Sequence, residues 1–531
     1  MIVPSGRREE AGDMNKQSRR TLVWILAAST LYFLLLVLLV AAERGSPDAT
    51  IRTLGDAFWY SLITLTTIGY GDKAPVSLPG KLVASVFVLC SVGVLAALIG
   101  LGLRLVGDML VPRLRLRFGK GRIWYAFSEE NADSVTLASA LRRDDPDCML
   151  IFPDGGKTRS EIKAVRLRYS ISDLLDLRGT ADGISFFCMG AEPWTNYVSA
   201  LDAAGLGVET YCMADVREEK LPPCLHLFNP AEIMSRRYWT EHPLKKNECR
   251  VVFIGFADAA MALPERALLT NIFESERELE YHIFGDASAF SALHPEIVAA
   301  LDGSQSEGDR LIFHSESWTE ARELLLTADR VILCCDEDRE NLRICTELKS
   351  WFASSAALHV KLRDPVPGLV SFGGRREFET PEYVMKDELN RRAILMNEIY
   401  NEGSKNPVPW RELSPFLQQS NIAAADHLIV KARYLLNDEK LRELSPECCS
   451  KAYARYLELY PAQADLLQGM EHRRWMRFYQ MYNWQYAPKR DNDLRRHPLL
   501  LPYEELSQED RVKDAYAWEM LGRLGAKASP T

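Results

Sequence analysis

The run Thr21–Ala42 reads TLVWILAASTLYFLLLVLLVAA and carries no charge. At 1.5 Å per helical residue it reaches about 33 Å, enough for the hydrocarbon core of a bilayer. A segment in lipid must satisfy its own backbone, so this one has to be helical. It is too long for the apolar part of a cleaved leader, and no small-residue cleavage site precedes a mature domain. A second apolar run goes from about Leu78 to Leu110, interrupted only by Lys81, Arg104 and Asp108. Arg7, Arg8, Lys16, Arg19 and Arg20 precede the first run; Arg113, Arg115, Arg117, Lys120 and Arg122 follow the second. The positive-inside rule then predicts a multi-pass protein of the cell (inner) membrane, with both termini and everything after residue 110 cytosolic.

Between the two runs lies Leu54–Leu65, LGDAFWYSLITL, a good helix that is too short to cross. It should dip in and stop. Thr66, Thr67, Ile68, Gly69, Tyr70, Gly71 and Asp72 follow it. Non-helical backbone at membrane depth survives only where it is buried in protein or lines a water-filled path. Alternating glycines permit backbone angles that aim successive carbonyl oxygens one way. Four such strands around an axis would replace the hydration shell of a potassium ion, with the Thr67 hydroxyl at the inner end.

These residues resemble the potassium-channel signature, with Ile68 where valine is commoner. Trp59 and Tyr60 match the aromatic pair that packs around the filter in that family. One chain supplies one filter strand, so the resemblance implies a homotetramer with K+ as the permeant ion. Ile63 stands where some members carry a glutamate behind the filter, which leaves Asp72 without that partner. The family's inner-helix hinge glycine falls at Ser91; Gly93 and Gly100 are nearby alternatives, although glycine in a membrane helix also serves close packing. The first span has no arginine ladder and therefore no voltage sensor of the usual kind.

From Gly121 the pattern changes to short apolar runs alternating with helical ones. Strands are predicted at Arg122–Phe127, Cys148–Phe152, Ile184–Met189, Val208–Met213 and Leu225–Phe228. A second series is predicted at Val251–Ile254, Tyr281–Phe284, Leu311–Phe313, Val331–Cys335 and His359–Leu362. Alternating strand and helix implies doubly wound parallel sheets. The layout is similar to the regulator-of-potassium-conductance family, which hangs Rossmann-like domains beneath two-span pores; Ala328–Ser350 carries the resemblance in particular. The dinucleotide fingerprint is poor in both copies. Ala126–Asn131 has no glycine and two carboxylates, which would repel phosphate. The second copy offers Gly255, followed by Phe256, Ala257 and Asp258, and then Asp286 where the family holds a ribose hydroxyl or where a turn is simply capped. A scaffold that assembles and transmits force is the favoured reading; NAD(H) or an ion at the second copy is the alternative.

After about residue 380 the predicted strands stop. Gly469–Tyr486 reads GMEHRRWMRFYQMYNWQY, followed by Lys489-Arg490, Arg495-Arg496-His497-Pro498 and Tyr503-Glu504-Glu505-Leu506. This resembles the RyR domain named for ryanodine receptors, with Asn483 and Tyr503 where that family commonly has Gly and Trp. Trp410 and Asn421 fall in an upstream stretch that is similar to its first half. Trp410, Trp475, Trp484 and Tyr486 offer faces on which a base can stack. Arg474, Lys489, Arg490, Arg495 and Arg496 offer phosphate contacts, and Asn421, His472 and His497 offer polar edges. The bland alternative is that the tryptophans are core and the arginines form surface pairs.

The expected organisation is a tail at 1–20, an all-α two-span pore at 21–111, a linker at 112–120, Rossmann-like domains at 121–247 and 248–378, and a mostly helical RyR-like domain at 385–525. The expected function is a potassium-selective channel gated by a nucleotide-type ligand. An effector channel opened by a signalling nucleotide in stress or phage defence is the alternative role. The formal charge of −9 argues against a nucleic-acid polymer as partner. No Ser-His-Asp, metal or P-loop spacing points to an enzyme. The eleven cysteines, including Cys334-Cys335 and Cys448-Cys449, lack the spacing of a metal site.

Overall fold

The computed structural model describes residues 30–119, 121–155, 159–216, 221–256, 260–274, 277–303, 308–351, 358–444 and 451–527. Side chains at 90–98, at 101, 104, 105, 108 and 109, and at 525–527 are outside that description. The tail 1–20, residues 21–29 of the first apolar run, Lys120, Ala257, Asp258 and Cys448-Cys449 therefore lie outside the described residues. The chain divides into two compact units, Met1–Arg115 and Leu116–Thr531.

The first unit contains α1 (30–43), α2 (Leu54–Leu65), α3 (Leu78–Leu105) and a π-helical turn at Val106–Leu110. The helix α4 (Val111–Phe118) follows. Thr53 and Asp56 start α2 through a reciprocal capping box. Ser77 caps α3 by accepting a bond from Gly80 N at 2.9 Å. The fully buried Glu43 carboxylate accepts from Val76 N and Ser77 N, each at 3.0 Å. A Cβ at Gly80 would lie 1.9 Å from Glu43 Oε1, so this approach requires glycine. Leu35, Leu39, Ile51, Ala57 and Phe87 form a small core. Leu31, Phe33, Leu34, Leu82 and Leu89 face outward, an apolar exterior of the kind that marks a contact surface. Among the described residues no helix is long and apolar enough to cross a membrane. The expectation of two spans rests in part on 21–29 and on side chains 90–98, which that statement does not cover.

The second unit holds two six-stranded parallel sheets. The first contains β1 (Trp124–Phe127), β2 (Met149–Pro153), β3 (Val165–Leu167), β4 (Ile184–Cys188), β5 (Glu209–Met213) and β6 (Leu225–Phe228). Its helices are α5 (Ala132–Asp144), α6 (Ile171–Arg178), α7 (Pro193–Gly205) and α8 (Pro230–Glu241). The second contains β7 (Arg250–Phe256), β8 (Glu280–Gly285), β9 (Arg310–His314), β10 (Arg330–Leu333), β11 (Leu358–Lys361) and β12 (Val370–Phe372). Its helices are α9 (Ala262–Thr270), α10 (Ser288–Leu293), α11 (Pro295–Ala300), α12 (Arg322–Thr327) and α13 (Asp338–Lys349), with the short α14 (Arg375–Phe378) and α15 (Pro381–Val384) after β12.

The strand orders are β3-β2-β1-β4-β5-β6 and β12-β11-β10-β7-β8-β9. Numbered within each sheet, both read 3-2-1-4-5-6, the doubly wound Rossmann order. The central strands are apolar throughout because helices cover both faces: Val251, Val252, Phe253 and Ile254 are all buried. Trp239 of α8 donates to the Leu263 carbonyl at 2.9 Å, tying the end of the first domain to α9 of the second.

The helical remainder consists of α16 (Arg391–Glu402), α17 (Pro415–Leu436), α18 (Ala452–Leu459), α19 (Ala464–Met481) and α20 (Gln508–Lys527). Strand structure does not end at residue 380: β13 (Gln485–Tyr486) and β14 (Arg496–His497) pair in parallel. This region packs against the α/β domains through buried charge. Arg236 of α8 grips both oxygens of Asp426 at 2.7 and 3.0 Å. Arg477 meets Asp309 at 2.7 Å. The His294 ring bridges Met481 O and Glu265, each at 2.8 Å.

Candidate functional site

The loop after α2 is fixed by its own helix. The Ile63 carbonyl accepts from Ile68 N at 2.9 Å and from Gly69 N at 3.2 Å, while Thr66 Oγ1 donates to Leu62 O at 2.7 Å. The chain then alternates in handedness. Thr67, Gly69 and Gly71 have φ of 57°, 60° and 78°, and the residues between them do not enter that region. Such alternation is the backbone condition for turning successive carbonyls to one side. Thr67 pays about 1–2 kcal/mol for a left-handed conformation that glycine adopts freely. Trp59 Nε1 donates to Asp72 Oδ2 at 2.9 Å, and its ring stacks on Tyr70 with centroids 6.3 Å apart and planes 11° apart. Tyr60 packs on Phe87 of α3 at 6.5 Å. Asp72, which lacks a glutamate at position 63, thus takes Trp59 as partner, and Ile63 is buried. Ser91 and Gly93 lie within α3 with side chains outside the description, and Gly100 has open space around its Cβ position.

A cavity of about 380 Å³ lies in the C-terminal helical region, within the range of small-molecule sites. Six of the residues singled out in the sequence line it: Asn421, His472, Arg474, Trp475, Arg490 and His497. Successive turns of α19 present Glu471, Arg474, Trp475 and Tyr479, and α17, α16 and α20 add Asn421, Tyr400, Asp514 and Tyr516.

The floor of the cavity is charged and buried. Glu471 accepts from Arg474 Nη2 at 2.7 Å and Nε at 3.0 Å, and Lys431 Nζ approaches its other oxygen at 2.6 Å. All three side chains are buried. Burial pushes the Glu471 carboxyl up, but Arg474 and Lys431 outweigh it and hold it at about 2. Arg474 Nη1 is left without a hydrogen-bond partner. A buried guanidinium nitrogen with no acceptor is a costly arrangement.

The walls are aromatic. Trp475 lies 4.3 Å from Tyr479, stacks on His472 at 5.6 Å and meets His497 edge-on at 4.9 Å. His472 Nε2 donates to Leu501 O at 2.9 Å, and its Nδ1 lies 3.3 Å from Asp514. Burial raises the Asp514 carboxyl, with His472 acting against the rise. Burial, then Arg490, pushes the His497 ring down to about 4, so it is neutral at pH 7.

The remaining sequence candidates sit elsewhere. Trp484 is buried in the core, stacked on Phe416 at 5.6 Å. Trp410 is half-buried against the helical core, its carbonyl accepting from Gln418 at 2.8 Å. Arg495 donates to Tyr482 O at 2.9 Å, and Tyr486, Lys489 and Arg496 are exposed in the segment from β13 to β14. Reading from sequence missed Tyr400, Glu471, Tyr479, Asp514 and Tyr516. Tyr479 was findable, four residues after Trp475 and hence on the same helix face.

The described residues singled out in the α/β domains make internal contacts. Glu130 is gripped by Arg166 at 2.7 and 2.8 Å and accepts from Ser160 N at 2.7 Å, so an internal carboxylate neutralises the arginine beside the first crevice. Gly255 has φ of 81°, and a Cβ there would lie 2.0 Å from Cys335 Sγ; close packing against the segment after β10 explains it. Asp286 closes the turn that leads into α10, accepting from Ser288 N at 3.0 Å and Oγ at 2.6 Å.

Residues 20–107 match the family Ion_trans_2, described as "Ion channel". A stretch of the chain is similar to potassium voltage-gated channel subfamily A member 4 of Homo sapiens. The two are 38% identical over 68 residues, which is 13% of this chain and 9% of the relative. Subfamily A member 2 of Oncorhynchus mykiss is 37% identical over 68 residues, or 13% of this chain and 12% of the relative. The chain thus spans only a small part of the curated relatives it matches. Two solved structures, one of a GsuK mutant and one of GsuK bound to ADP, align at TM-scores of 0.31 and 0.30 with 14% and 15% identity. Each alignment covers 64% of this chain and 89% of the other. At those scores the likeness carries no argument.

Proposed function

We propose that this chain is one subunit of a tetrameric, potassium-selective channel of the cell membrane, gated by a nucleotide-type ligand in the C-terminal cavity. One observation carries the pore reading: the alternating left-handed backbone at Thr67, Gly69 and Gly71, buttressed by Trp59 and Asp72. Residues 20–107, which match the ion-channel family, enclose that loop. A strand of carbonyls serves an ion only when other copies complete the ring.

The ligand reading rests on the cavity. Its aromatic walls suit a base, and the guanidinium groups of Arg474 and Arg490 in its lining suit a phosphate. The RyR-like domain would act as sensor and the two α/β layers as transmitters. Moving a gate from 1:99 to 99:1 takes about 5.5 kcal/mol, or roughly 1.4 kcal/mol per subunit in a tetramer.

The test uses the full-length protein in proteoliposomes. Potassium flux should exceed sodium flux at least a hundredfold and vanish in Gly69→Ala; equal fluxes would end the pore reading. A thermal-shift screen with mono- and dinucleotides should show stabilisation of about 2.7 kcal/mol at a hundred times the dissociation constant. That shift should disappear in Trp475→Ala. If no nucleotide shifts the melting, the pore reading stands and the ligand reading fails.

A further inference from the structure

The joint between the two α/β domains contains a carboxyl pair that the proposed function does not use. The short helix α14, which follows the second sheet, packs on α5 and α8 of the first domain, and α15 packs on α5. Glu379 ends α14 and is 2% exposed. Asp133 of α5 lies within hydrogen-bond reach of it, with the Thr136 hydroxyl nearby. Asp133 is bound from its other side by Arg375 of α14. Glu379 Oε2 receives no hydrogen bond. A buried carboxylate with a bare oxygen and a second carboxylate beside it is unstable as an anion.

We propose that a proton held between Glu379 and Asp133 latches the second α/β domain onto the first, and that its loss releases the joint. In the latched state the Glu379 hydroxyl donates to Asp133, whose negative charge is balanced by Arg375. Loss of the proton sets two carboxylates against one arginine in a site closed to water.

The surrounding charges have other commitments. On α8, Arg237 binds Glu241 and the Glu377 carbonyl and lies over the Tyr383 ring at 5.4 Å. On α15, Glu382 pairs with Lys386 at 3.5 Å, and Lys386 also lies 3.9 Å from Asp144 of α5. Glu377 is itself pushed up by burial and adds no cation. Burial first and Asp133 second push Glu379 to about 9. Opening the joint returns it to water and to its ordinary value of 4.5. Between those values the closed form holds a proton that the open form releases. Each pH unit therefore favours opening tenfold, up to about pH 9. The latch concerns the joint alone and stands whatever the pore conducts.

Hydrogen exchange in 372–385 of the full-length protein, normalised to the intrinsic exchange rate at each pH, reads that opening. Between pH 6 and 9 the opening constant should rise about tenfold per unit and then level off. In Glu379→Gln, which keeps the shape and loses the titration, it should be flat. In Asp133→Asn it should level off at a lower pH, because the like charge is gone. A flat wild type, an unchanged slope in Glu379→Gln, or an unmoved plateau in Asp133→Asn would each overturn the proposal.

Discussion

Arg474 holds Glu471 three residues behind it on α19, with Nε and Nη2 directed at its carboxylate and Nη1 buried without a hydrogen-bond partner. The pair is buried, and Lys431 reaches the same carboxylate from α17. The arrangement puts two cations against Glu471, and the Asp514 carboxyl on the cavity lining acts on both of them.

Arg474→Ala should therefore have two separable effects. Removing one partner of a buried pair typically costs about 3–5 kcal/mol, which urea unfolding would read. Arg474→Lys keeps the charge and loses the fork, so it should retain much of the stability while weakening ligand affinity at least tenfold. Equal affinities in wild type and Arg474→Lys would remove Arg474 from the site.

Acid should unfold the second unit early. Three buried rings are held neutral: burial, then Arg330, pushes His359 down to about 2, and burial, then Lys431, takes His427 to about 3. Burial with Arg490 takes His497 to about 4. For a depressed histidine the unfolded chain binds the proton first, so stability is lost as pH falls below about 6.5. Each ring removes about 1.4 kcal/mol per pH unit until its folded value is reached. Glu471 adds to the loss between its unfolded value of 4.5 and about 2. Denaturation midpoints at pH 7, 6 and 5 should fall progressively, and His427→Gln should make the fall shallower by about one proton. A midpoint constant down to pH 5 would contradict this burial.

Much of this was legible in the sequence. Ten strands follow from apolar runs that helices cover on both faces. β3 and β12 escaped because Val165-Arg166-Leu167 and Val370-Ser371-Phe372 are three-residue edge strands with polar centres, defined only by β2 and β11 beside them. Trp475 and Trp484 look alike in sequence, yet one lines the cavity and the other fills the core. The difference lies at Asn483, whose φ of 59° turns the chain so that Trp484 packs on Phe416. Asparagine tolerates that left-handed position where the resembling family commonly places glycine. The role of Lys431 was not legible, because its partner lies forty residues on, across a fold.

Trp59→Phe tests the filter buttress. It keeps the ring against Tyr70 and deletes the bond to Asp72. A hydrogen bond of about 1 kcal/mol corresponds to roughly a fivefold change between a conducting and a collapsed loop. Potassium flux in liposomes should fall by about that factor, and Asp72→Ala, which removes the acceptor, should produce a loss of similar size. Full flux in both variants would mean that the loop is held by Ile63 alone.

Arg236 and Asp426 separate sensing from transmission. Arg236 is buried and uses its whole guanidinium: both oxygens of Asp426, Asn390 Oδ1 at 2.7 Å and the Leu389 carbonyl at 2.8 Å. It stands on α8 of the first α/β domain, and Asp426 stands on α17, outside the cavity lining. Asp426→Asn removes the charge and keeps the shape. If α17 passes ligand binding to the α/β layers through this pair, nucleotide stabilisation in the thermal shift should survive nearly intact. The nucleotide-dependent change in potassium flux should shrink several-fold. Arg236→Ala should do the same and also expose the α16–α17 region to proteolysis, because it breaks four contacts at once. Loss of binding and of flux response in equal proportion would mean that the cavity itself had collapsed. An unchanged flux response in both variants would move the transmission path to Arg477 and Asp309, a buried pair that ties the helical region to the second α/β domain.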